Sequence, residues 1–274
     1  MTLIARRTLS LIGAAGLLVT LLTLTCGPAE ATSIRINAPR IELELAPGES
    51  YSGEFVAENP EDGDVLCRLY LEDWAYLPGG AGDKQFLPAG ASALSASSWI
   101  TFSPAEMTVP SFGRQTVRYT VNVPQDATGG NYSVLFMETA MGTAENDQGA
   151  SVQVSGRIGA LFFVRVKGTL RKEGQVKAVD VIAPAGNKPL EIHTTFQNSG
   201  NTDIELGGNF LVMDPEGSVT ARGQLQTLYT FPGTLERGVT RWAGSIAPGT
   251  YDILLTYDLG QGQTLVEEKT LTVG

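Results

Sequence analysis

The chain has 274 residues, with 19 Lys+Arg against 29 Asp+Glu, a formal charge of −10, and 32 Gly and 14 Pro. Such acidity repels phosphate backbones and anionic lipid heads, which argues against nucleic-acid and peripheral membrane binding. Glycine and proline punctuate short runs of alternating Val, Ile, Leu, Phe and Tyr along the whole chain, an all-β pattern.

The first 31 residues read as an export signal: Arg6-Arg7, an apolar run from Thr8 to Thr25, then Pro28-Ala29-Glu30-Ala31 as a small-x-small cleavage site. Cleavage after Ala31 ranks first. Lipidation at Cys26 ranks second, because Leu24-Thr25 fits a lipoprotein site poorly. Retention as an anchor ranks third, because Gly13, Gly16 and several threonines weaken a run near the lower length limit for a span. The chain is therefore expected in a periplasm or at a cell surface, with no membrane span after cleavage. Cleavage leaves Cys67 without a second cysteine. Lying between Val65 and Leu69 in an alternating run, it reads as a small buried hydrophobe rather than a reactive thiol.

After Ile34-Arg35-Ile36, Ile41, Leu43 and Leu45 alternate with Glu42 and Glu44 up to Pro47-Gly48. Strands are predicted around Gly53–Ala57, Val65–Trp74, Trp99–Phe102, Arg114–Val123, Tyr132–Glu138 and Val152–Val166. Residues 78–98, rich in Gly, Ala and Ser, read as a long surface excursion, and 139–151 as a polar flexible loop. A second cycle of strands is predicted at Val176–Ile182, Leu190–Gln197, Ile204–Met213, Ser218–Ala221, Gln226–Thr230, Thr240–Gly244, Tyr251–Tyr257 and Thr264–Val273. The halves echo each other. Gly130-Asn131-Tyr132-Ser133-Val134-Leu135 parallels Gly249-Thr250-Tyr251-Asp252-Ile253-Leu254, which makes Tyr132 and Tyr251 candidates for a tyrosine that bonds back to its own corner. The expected fold is two tandem immunoglobulin-like β-sandwiches, residues 32–168 and 169–274, joined by the charged segment 167–174.

Chemistry is sparse. One histidine, His193, and one remaining cysteine cannot supply an ordinary zinc site, and no Gly-x-Ser-x-Gly elbow or phosphate loop is present. The acidic turn 58–64 lacks the spacing of a calcium loop and reads as solvated. No cofactor, no metal and no catalytic residue is expected. The suggestive segment is Val152–Val166, where alternation sets Val152, Val154, Ile158, Ala160, Phe162, Val164 and Val166 on one side. Such a row either lends its edge to another protein's sheet or simply closes its own sandwich.

Several motifs resemble the bacterial periplasmic pilus-assembly (PapD-like) chaperones. They are Pro39-Arg40-Ile41-Glu42-Leu43-Glu44-Leu45, Trp99-Ile100-Thr101-Phe102-Ser103-Pro104, Val117-Arg118-Tyr119-Thr120-Val121-Asn122-Val123-Pro124, Tyr132-Ser133-Val134-Leu135-Phe136-Met137-Glu138 and Gly156-Arg157-Ile158-Gly159. In the second half Phe231-Pro232-Gly233 and Ala247-Pro248-Gly249-Thr250-Tyr251 fit the same group. The resemblance implies a non-enzymatic protein that holds a secreted subunit by β-strand addition, two basic residues gripping the subunit's carboxylate. Arg40 matches the first basic position. Gly159 or Ala160 falls where the second, a lysine, belongs, and Arg157 is the nearest basic side chain. Glu138 stands where the family has Asn, and the chain is acidic where classical members are basic. The implied partner-binding residues are Arg40 and Arg157 for a carboxylate, and Val154, Ile158, Ala160 and Phe162 for the lent strand. The rival expectation is an envelope structural protein that binds cell-wall glycan or another surface protein.

Overall fold

A computed structural model describes residues 34–145 and 150–274. The export signal, with its cleavage and lipidation sites, lies outside the described residues.

The first ten strands are β1 (Arg35–Ile36), β2 (Arg40–Leu45), β3 (Ser50–Glu58), β4 (Val65–Tyr76), β5 (Lys84–Pro88), β6 (Ile100–Ser103), β7 (Glu106–Val109), β8 (Arg114–Asn122), β9 (Gly130–Glu145) and β10 (Ser151–Val166). They make two sheets, in the orders β1-β3-β8-β6 and β2-β10-β9-β4-β5, with β7 also on β4. Period-two side chains fill the space between them. Val117, Tyr119 and Val121 of β8 point in, and Phe55, Leu135, Ala160, Phe162 and Val164 meet them. Cys67 lies in this core, where burial pushes its thiol up. Its role is packing.

The remaining strands are β11 (Gly174–Ile182), β12 (Leu190–Asn198), β13 (Ile204–Met213), β14 (Val219–Gln224), β15 (Leu228–Thr230), β16 (Leu235–Trp242), β17 (Gly249–Gly260) and β18 (Gln263–Val273). They form a second sandwich from β11-β12-β16 and β14-β13-β17-β18, with β15 on β13, around Ile192, Phe196, Phe210, Ile253 and Leu255. The fold is all-β, two immunoglobulin-like sandwiches in tandem. Tyr251 closes its corner as expected, its hydroxyl donating to the Ala247 carbonyl at 2.9 Å.

Two expectations are corrected. Residues 78–98 are not a bare excursion: β5 pairs with β4, and Ala96 and Ser97 are buried. The Ser92–Ser97 part is held by Asp73, a fully buried carboxylate that accepts from Ser92 N–H (2.9 Å), Ser95 Oγ (2.6 Å) and Ser97 Oγ. Those bonds satisfy the carboxylate and pull a chain of small side chains onto the sheet. Residues 139–145 are not loop either. They continue β9 and pair with β10 from Ser151, with a bulge at Met141. Local polarity misled there, because cross-strand pairing rather than apolarity holds a two-stranded ribbon.

Candidate functional site

β10 has two margins, and only one is fully used. Along one, β9 pairs with it antiparallel from Ser151 to Arg165. Along the other, β2 pairs with it in parallel, but only from Leu161 to Val166. Leu161 N–H donates to the Pro39 carbonyl at 3.0 Å and Lys167 N–H to the Leu45 carbonyl at 2.8 Å. Odd-numbered residues of β10 therefore aim their backbone groups at β2. The ladder stops at Pro39 for a covalent reason: proline has no N–H to offer the Gly159 carbonyl. Upstream the chain crosses to the opposite sheet, where Asn37 N–H donates to the Val56 carbonyl at 3.2 Å and β1 pairs with β3. Among the described residues no strand pairs with this margin of β10 between Ser151 and Ala160. The amides and carbonyls of Gln153, Ser155, Arg157 and Gly159 face it.

Even-numbered side chains turn toward the core. Val152 and Val154 are 45% and 39% exposed, Ile158 is half-buried at the lip, and Ala160 and Phe162 are fully buried. Ala160 and Phe162 are thus corrected as lent residues. Both are occupied in their own sandwich, Phe162 edge-on to Tyr119 with ring centroids 5.0 Å apart, and Phe162 also lies where β2 already pairs.

The two arginines lie on the outer face of the same sheet, each with its own partners. Arg40 meets Glu42 at 2.6 Å and Glu205 of the second sandwich at 2.7 Å, and it covers the Phe163 ring at 4.1 Å. Arg157 meets Glu72 at 3.1 Å and covers Phe136 at 4.1 Å. Gly159 lies between them along β10, and a β-carbon there would fall 2.6 Å from Val134 and 2.9 Å from the Phe136 ring. The space a side chain at Gly159 would need is taken by Val134 and the Phe136 ring.

Sequence reasoning missed the joint between the sandwiches. Tyr132 does not bond to its own corner. Its hydroxyl accepts from Asp203 N–H at 2.7 Å and donates to Asp203 Oδ1 at 3.0 Å. Arg165 grips the same carboxylate through Nε at 3.0 Å and Nη2 at 2.7 Å. Phe231 stacks on Tyr132 at 4.1 Å and packs against Trp74 and Tyr76 at 5.0 and 4.8 Å. From the excursion, Gly79 N–H donates to Glu236 at 2.9 Å and the Gly80 carbonyl accepts from Tyr229 N–H at 3.0 Å. The available signal was Arg165, a lone charge inside Phe162-Phe163-Val164-Arg165-Val166.

Burial alone would raise the Asp203 carboxyl, but Arg165 and the hydroxyls of Tyr132 and Thr202 hold it below the usual carboxylate range. A depressed folded-state pKa contributes stability above the unfolded value, about 4, and that stability is lost as pH falls through the folded value. Asp203→Asn is expected to cost about 3 kcal/mol near pH 7, the cost of stranding a buried partner. The difference from wild type should shrink steadily below about pH 4 in thermal melts; a pH-independent difference would show that the ion pair is not its source.

No protein-family model and no curated protein sequence matches the chain. Solved structures with a similar backbone arrangement include the class 5 fimbriae chaperone CfaA, at 11% identity over 86% of this chain and 99% of that one, TM-score 0.45. The E. coli chaperone DraB is similar at 14% identity over 88% and 99%, TM-score 0.38. So is the Salmonella enterica SafA pilin in complex with the SafB chaperone, at 13% over 88% and 97%, TM-score 0.39.

Proposed function

We propose that this chain is an exported, non-enzymatic chaperone-like protein that holds a secreted pilus or surface subunit by strand addition along the open margin of β10, in the periplasm or at the cell surface. One observation carries the reading: the unpaired backbone from Gln153 to Gly159, left open by the sheet switch at Pro39. A row of unmet N–H and C=O groups is a template for an extended polypeptide. Val154 and Ile158 are the apolar side chains that flank the guest from the core side. The test is hydrogen exchange on the complex formed with a subunit captured from the envelope fraction. Amides of Gln153, Ser155, Arg157 and Gly159 should gain protection; protection confined to other strands would discard the assignment.

Arg40 and Arg157 enter as the groups that receive a client carboxylate. An exposed ion pair is worth only about 0–1 kcal/mol, so a client carboxylate can compete with Glu205 for Arg40, and Glu72 is the corresponding rival at Arg157. Combined Arg40→Ala and Arg157→Ala is expected to weaken capture about tenfold and to flatten its dependence on salt. Unchanged affinity would remove the carboxylate role while leaving strand addition intact.

A further inference from the structure

Next to the open margin, between β9, β10 and Ile34, the first sandwich keeps a small cavity of about 220 Å³ lined by Ile34, Met137, Thr139, Met141, Gly156, Arg157 and Ile158. Two local features create it. Gly156 contributes no side chain to the inward row between Val154 and Ile158, and the bulge in β9 turns Met141 across the gap, so that a β-carbon at Gly156 would lie 2.6 Å from the Met141 sulfur. The walls are mostly apolar, with Thr139 and Arg157 the polar residues among the lining, and two are methionines, whose unbranched chains adapt to varied shapes. For scale, a cavity of about 150 Å³ lined by apolar side chains accepts benzene.

The adjacent groups define the occupant. The amides and carbonyls of Ser155 and Arg157 face the margin beside the cavity, and only another backbone supplies both complements in register. A strand on that margin alternates its side chains, sending every second one over the cavity mouth. We propose that the cavity is a specificity pocket for one large aliphatic side chain, Leu, Ile or Met, of the extended segment that adds to β10. The proposal rests on the strand-addition reading and deepens it: the client segment is selected by a single bulky anchor at a fixed register, not only by its backbone.

The probes are two fluorescein-labelled, end-blocked peptides, Lys-Thr-Val-Thr-Leu-Thr-Val-Thr-Lys and the same peptide with Ala for Leu. They are titrated into the wild type, Gly156→Val and Ser155→Pro. The wild type should bind the Leu peptide at least tenfold more tightly than the Ala peptide. Gly156→Val suits a strand and displaces only the end of the Met141 side chain, pushing it into the cavity. It should bring the ratio below twofold while leaving the melting temperature within a few degrees. A tenfold ratio that survives Gly156→Val, or no ratio in the wild type, overturns the pocket. If Ser155→Pro still abolishes binding of both peptides in that case, strand addition stands without it. Full binding to Ser155→Pro, or failure of the wild type to bind either peptide at millimolar concentration, overturns both. A margin occupied by a second copy, seen as a dimer by sedimentation that excludes peptide, does likewise.

Discussion

Ser155→Pro is expected to leave the protein folded and to weaken client capture at least a hundredfold, whereas Ser155→Ala should change it less than twofold. The Ser155 N–H points at the unpaired margin, so proline removes no hydrogen bond of the free protein, a circumstance in which strands accept it. For a guest strand the same change removes a donor and puts a ring where a backbone must approach. A hundredfold corresponds to about 2.7 kcal/mol, more than the net worth of one hydrogen bond, so much of the effect must come from the steric block. Circular dichroism checks folding, and titration with the captured subunit checks binding. Retained affinity in a folded variant would mean that the guest docks elsewhere.

Phe231→Ala should cost about 3–5 kcal/mol, as for other buried aromatic truncations, and lower the melting temperature by roughly 10 °C. The ring is 5% exposed and touches Tyr132, Trp74 and Tyr76 of the other sandwich at once. Since it is a large part of the apolar seam, its loss should also divide calorimetric unfolding into two transitions, one per sandwich. A single transition displaced by only 1–2 °C would assign the coupling to the polar joint at Asp203 instead.

What could be read in advance follows from what side chains record. Strand alternation is written in residue types, so β8 and the even face of β10 were legible from Val117, Tyr119 and Val121 and from Ile158, Ala160 and Phe162. Lateral pairing is not written there. Nothing in the apolar row of β10 distinguishes the half that β2 covers from the half it does not; the only trace is Pro39, whose missing N–H matters once the register is known. Short elements bound by tertiary partners were also missed. β5 depends on its pairing with β4, and the turn at Ser97 on the Asp73 carboxylate of β4, which its composition does not single out. Tyr132 was recognised as architectural from its turn glycine, but its partner, Asp203, belongs to the other sandwich.

The proline that ends the β2 ladder also acts as a ruler. In parallel pairing each rung spans two residues, so the imide at position 39 fixes how many positions of β10 a visitor can occupy. An ordinary amide at position 39 would give β2 an N–H for the Gly159 carbonyl, let β2 climb one rung and shorten the berth by two residues. On the strand-addition reading, length selectivity toward guests is adjustable at a site that contacts none of them.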